Sequence, residues 1–109
     1  PSLSVPPEHL MWVFGVKTRD AAMKILEGFR LDGIVQKMRC PFLLVHGEGD
    51  EQIPLAIAQK CFDAVGSEQK LLKVFTREEG GFHHCQVDNV TIGTNFMWDW
   101  AADVLKPGT

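Results

Sequence analysis

Apolar residues in this chain fall into short blocks and stripes punctuated by Gly and Pro. The opening stretch Pro1–Pro7 carries three prolines and two serines and reads as a loop or an arm. Leu10, Met11, Trp12, Val13 and Phe14 follow without a break, which predicts one or two buried helical turns over His9–Phe14. Thr18 can cap the next helix, because its hydroxyl can accept a first-turn backbone N–H. Ala22, Ile25, Leu26 and Phe29 then recur at the spacing of one buried helical stripe. Gly33 breaks that helix, and Ile34–Met38 forms a short second one. Pro41 ends any helix before it, since the residue preceding a proline is pushed out of the α region.

From Phe42 onward the period changes. Phe42–Val45 is apolar without alternation, as in a strand covered on both faces of a parallel sheet. Ala58, Cys61, Phe62 and Val65 make a helical stripe ended by Gly66, and Leu71–Phe75 supplies a second strand. Met97, Trp100, Ala101 and Val104 make a last stripe before Pro107. Strand, helix, strand, helix predicts an α/β fold, a parallel sheet with crossover helices. Two strands do not make an independent sheet, so the sheet is incomplete in this chain. The chain divides into a helical segment, 1–39, and an α/β segment, 40–109.

Composition narrows the function classes. The 109 residues carry a net charge of -3, which argues against nucleic acid or an anionic membrane surface as partner. No apolar run approaches the roughly 18–20 residues that span a bilayer. Cys40, Cys61 and Cys85 are odd in number and lack C-x-x-C spacing, so they read as reduced, mostly buried thiols of a cytoplasmic protein. The start at Pro1 instead of Met suggests a processed product or a fragment.

Two loops carry the candidate chemistry. His46-Gly47-Glu48-Gly49-Asp50 follows the first strand, and Gly80-Gly81-Phe82-His83-His84-Cys85 follows the second. In open parallel sheets, catalytic groups gather beyond the carboxyl ends of the strands. Asp50 and His84 both fall at that edge. A histidine acting as general base needs its far ring nitrogen held by a carboxylate, which sets the tautomer and stabilises the imidazolium. Gly47 and Gly49 allow a reversal that aims Asp50 over the sheet, and Gly80 and Gly81 do the same for the histidine. Taken singly, each is an ordinary turn residue. Together, in this order, they form the acid/base half of a Ser/Asp/His system.

Cys40–Pro54 followed by Gly80–Asn89 resembles the C-terminal part of α/β-hydrolases. The matching residues are Pro41, His46-Gly47-x-x-Asp50, Ile53-Pro54 and Gly80-Gly81-x-x-His84-Cys85-Gln86-Val87-Asp88-Asn89. The resemblance is to the branch containing fungal heptaketide hydrolases of pigment pathways and bacterial 2,6-dihydroxypseudooxynicotine hydrolase. Trp12 through Phe29 is similar to the segment preceding the acid-bearing strand there. The resemblance implies that Asp50 is the triad acid and His84 the base, with His83 the rival for that role. It implies hydrolysis of a C–C or ester bond next to a carbonyl in a small polyketide-like or aryl-ketone substrate.

The nucleophile has no counterpart: Ser2, Ser4 and Ser67 sit in no G-x-S-x-G context, and no oxyanion-hole loop is present. Cys85 adjoins His84 but is read as a buried apolar thiol and not as a nucleophile. Glu78, Glu79, His83, His84 and Cys85 lack zinc-ligand spacing, so neither metal nor cofactor is expected. Trp12, Phe14, Phe96, Trp98 and Trp100 are read as core or pocket lining, with Trp12 the aromatic assigned to substrate. Two functions remain open. One is the acid/base half of a serine hydrolase, partnered by a missing N-terminal segment with the serine or by a second copy. The other is a hydrolase-derived module that binds and does not catalyse.

Overall fold

The computed structural model describes residues 5–108. The arm expected at Pro1–Pro7 and the serines Ser2 and Ser4 therefore lie partly or wholly outside the described residues. The chain separates into two compact units, Pro1–Ile34 and Val35–Thr109.

The first unit is a pair of short helices. Pro7–Phe14 (α1) starts with a proline in its first turn, where the missing N–H costs nothing, and ends on Gly15 in the left-handed region. Arg19–Leu26 (α2) is capped by Thr18, whose Oγ1 accepts the Ala21 N–H at 3.2 Å. Two expectations are corrected here. α1 buries no residue, and Trp12 is 79% exposed. α2 ends at Leu26 and not at Gly33, with Phe29 past its end and largely exposed. The Phe29 ring still meets that of Phe14, with centroids 5.9 Å apart. Of the expected buried stripe only Ala22 is buried; Leu26 is half-buried, and Ile25 and Phe29 are exposed.

The second unit is a mixed α/β arrangement. Strands Phe42–Gly47 (β1) and Lys70–Phe75 (β2) pair in parallel, in register from Phe42 opposite Lys70 to Gly47 opposite Phe75. Helix Leu55–Ala64 (α3) joins them, and helix Val90–Val104 (α4) follows β2. Ile34–Met38 is no α-helix but a single 3₁₀ turn, Val35–Lys37. Phe75 is the anchor of the core: it is fully buried and meets Phe96 of α4 edge-on, 6.0 Å between centroids. Burying such a ring stabilises by about 1.5–3 kcal/mol. Lys70 Nζ reaches back to the carbonyls of Phe62 (2.8 Å) and Val65 (2.9 Å), satisfying orphan acceptors at the end of α3.

β1 departs from its expected burial. Phe42–Val45 are half-buried and not covered on both faces. The described sheet has two strands, so each strand keeps one unpaired edge. On α4, Trp98 is 71% exposed and Met97 also reaches solvent, so Trp98, like Trp12, is not core. The cysteines are free thiols, but Cys40 and Cys85 are exposed and Cys61 is half-buried, against the expectation of burial. No described helix is long and apolar enough to cross a membrane.

Candidate active site

The loop after β1 and the loop after β2 are locked together by backbone contacts. Glu48 N–H donates to the Phe75 carbonyl at 2.9 Å, carrying the β ladder one step past its end. Gly49 N–H donates to the Phe82 carbonyl at 3.0 Å. A side chain at Gly47 would collide with the carbonyl oxygens of Phe82 and His83, and one at Gly49 with the Phe82 ring. Neither glycine has a positive φ. They are needed for close approach and not, as the sequence suggested, for a reversal. Gly80 and Gly81 do sit at φ +83 and +76, a left-handed pair that turns the histidine loop back over the sheet.

That docking brings Asp50 to His84. Asp50 Oδ2 lies 2.8 Å from His84 Nδ1, and the acid's side chain is only 4% exposed. Its other oxygen, Oδ1, accepts the N–H groups of Gln52 and Ile53, both at 2.8 Å. Burial pulls the Asp50 carboxyl upward. The N–H groups of Ile53 and Gln52 and the His84 ring outweigh that pull and hold it below the usual carboxylate range. An ionised Asp50 can only accept, so His84 Nδ1 carries a proton, and in the neutral ring Nε2 is then the nitrogen with the lone pair. The His84 side chain remains 34% exposed, enough for Nε2 to meet another molecule. His83 does not take this place: its ring stacks edge-on against Phe82, 5.2 Å between centroids, and is exposed.

Sequence reading gave no role to three further residues. His46 is buried, and its Nε2 donates to the Ile53 carbonyl at 2.8 Å while lying 3.8 Å from Asp50 Oδ2. It thereby ties the Asp50 turn to the end of β1. Asp88 accepts the N–H of Phe82 on Oδ2 and of His83 on Oδ1, each at 3.0 Å. The His83 N–H is the main cause that holds the Asp88 carboxyl below its usual range. An Asp a few residues beyond a Gly-Gly turn was the available signal, since such side chains satisfy nearby loop N–H groups. The third is Gln86, buried beside the histidine loop with a positive φ of 53.

Asp50, His46, His84, Cys85 and Gln86 open on a cavity of ≈ 340 Å³, with Val45, Ile53 and Met97 as its apolar wall. The cavity wall holds no serine. Ser67 is buried at the other edge of the sheet, before β2, with its hydroxyl unpartnered. Trp12, in the first unit, is not among the lining residues. Among the described residues no group of three His, Cys, Asp or Glu is placed to hold a metal ion.

The arrangement can hold one histidine as an oriented, neutral base beside a small, largely apolar cavity. No family model matches the chain, and no solved structure matches it. A curated protein named hydrolase LUC6, from a Fusarium species, is 32% identical over 98 residues, covering 84% of this chain and 23% of the Fusarium protein. The chain spans about a quarter of the length of that relative. That similarity supports a relationship between this chain and a hydrolase.

Proposed function

We propose that this chain is the acid/base half of a serine α/β-hydrolase. The observation that carries the reading is the 2.8 Å contact between the buried Asp50 carboxylate and Nδ1 of a half-exposed His84 at a cavity mouth. Asp50 holds the ring in the tautomer that leaves Nε2 basic. Nε2 takes the proton of a serine hydroxyl as that oxygen attacks the substrate carbonyl, and then returns it to the leaving group. The serine and the oxyanion donors come from residues outside this sequence. The substrate is a polyketide-like or aryl-ketone molecule cleaved at a C–C or ester bond next to its carbonyl, with Val45, Ile53 and Met97 against its apolar part.

The test uses the complete reading frame that contains this chain. Asp50→Asn should lower kcat on an aryl ester by about 10⁴-fold and His84→Ala by about 10⁶-fold, the losses typical of a triad acid and a triad base. Undiminished turnover by a folded His84→Ala protein would refute the assignment. A complete reading frame with no G-x-S-x-G would decide for the non-catalytic binding module.

A further inference from the structure

Gln86 is 6% exposed, yet its carboxamide has no hydrogen-bond partner among the described residues. Its backbone is fully engaged: its N–H donates to the His83 carbonyl at 3.0 Å, and its carbonyl accepts the Asn89 N–H at 2.9 Å. The side chain runs between two glycines. Its Cγ lies against Gly81, and its Cβ, Cγ and Oε1 lie against Gly93 of α4. The carboxamide is unpartnered but not sealed off, since Gln86 lines the cavity and its polar end is left open for a molecule there.

The backbone around it is equally unusual. Cys85 and Gln86 have φ of 51 and 53, two consecutive non-glycine residues in the left-handed region. Side chains seldom adopt that conformation, and where they do the strain often serves a site. The turn places Gln86 on the same cavity as His84 and Asp50. The rest of that wall is apolar, from Val45, Ile53 and Met97.

We propose that Gln86 is a ligand-binding residue, its carboxamide N–H groups donating to the oxygen of an uncharged carbonyl compound whose apolar body lies against Val45, Ile53 and Met97. The inference rests on the cavity being the substrate site of the proposed hydrolase, but it requires no nucleophile. A carbonyl oxygen accepts from the carboxamide and needs no charge, whereas an anionic ligand would meet the Asp50 carboxylate.

Acetophenone and ethylbenzene are suitable probes, equal in shape except for the oxygen. In ¹⁵N NMR of the complete protein that contains this chain, acetophenone should shift the side-chain NH₂ pair of Gln86, and ethylbenzene should leave it in place. Gln86→Met keeps the length of the side chain and removes the donors. It should weaken acetophenone by about fivefold, the worth of one neutral hydrogen bond, and ethylbenzene by less than about twofold. Equal loss for both probes would show Gln86 to be packing alone and overturn the proposal, as would a Gln86 NH₂ signal indifferent to acetophenone. Should Gln86→Met fail to fold, the shift in the unmodified protein decides by itself. Failure of the hydrolase reading shows separately, in turnover, which these binding measurements do not read.

Discussion

Asp88 Oδ1 accepts the backbone N–H of His83 at 3.0 Å, one residue before the histidine that meets Asp50. With Oδ2 on the Phe82 N–H, this carboxylate clamps the histidine loop by its main chain and touches no ring. Asp88→Ala should therefore act through position. We expect faster amide exchange at Phe82 and His83, and, under the proposed function, a fall of about tenfold or more in kcat of the complete protein, since small misplacements of a base are costly. Asp88→Asn, which keeps only one good acceptor, should fall between. Unchanged exchange at both amides in Asp88→Ala would remove the clamp from the account.

Asp50→Asn separates structure from chemistry. Its remaining carbonyl oxygen can still accept from Gln52 and Ile53, so thermal unfolding should stay close to that of the parent. Its NH₂ would face His84 Nδ1 and favour the tautomer with the proton on Nε2, which is useless as a base. NMR of the His84 ring nitrogens should show that exchange of tautomer in the complete protein. A ring that keeps its Nδ1 proton in the variant would contradict the geometry.

The nearness of Asp50 and His84 was legible because strand order and loop length place both beyond the carboxyl edge of the sheet. The reasons for Gly47 and Gly49 were not: glycine reports freedom or close approach, and only the position of Phe82 tells which. Trp12, Phe29 and Trp98 lay outside what periodicity can tell, because spacing defines a face and not what covers it. The burial expected for Phe42–Val45 likewise assumed neighbours that the described sheet lacks. The left-handed pair Cys85-Gln86 has no sequence signature, as neither residue type favours that conformation.

Close approach makes Gly47 and Gly49 unequal. Ala at 47 would press its Cβ on the Phe82 and His83 carbonyl oxygens, and that backbone is held by Asp88 and cannot retreat. Gly47→Ala should destabilise by about 1–3 kcal/mol, the usual cost of overpacking. At 49 the obstacle is the Phe82 ring, which can swing, so the cost should be smaller. Urea midpoints for the two variants check the order, and a reversed order would contradict the interlocked loops.

Acid should open the site before it unfolds the rest. Asp50 and Asp88 both have carboxyls held below their usual range in the folded chain. Such groups contribute stability that is present above the unfolded value, near pH 4, and is lost as pH falls through the lower folded value. The stability that these two carboxylates contribute should thus be fully present at neutral pH and drop away below about 4. Asp50→Asn should flatten that acid limb. An Asp50→Asn protein with an unaltered acid limb would show that the carboxylate is not what the limb reports.

The unpaired edges of β1 and β2 set the last expectation, that this polypeptide associates. A two-stranded parallel sheet is not stable alone, and each free edge offers N–H and C=O groups to another strand. The half-buried Phe42–Val45 adds apolar side chains to that offer. On α4, Met97 and Trp98 reach solvent, and Leu105 beyond its end does too. Exposed apolar groups of this size usually mark a surface that is covered in use. The expected partner is either a serine-bearing segment or a second copy of this chain. Light scattering on the purified polypeptide should give a mass above that of a monomer, or, where a serine-bearing segment is co-expressed and bound, the summed mass of the two. Denaturation should then depend on protein concentration. A lone monomer with cooperative, concentration-independent unfolding would mean that the two strands suffice, and that the open edges are blunted by means the sheet topology does not reveal.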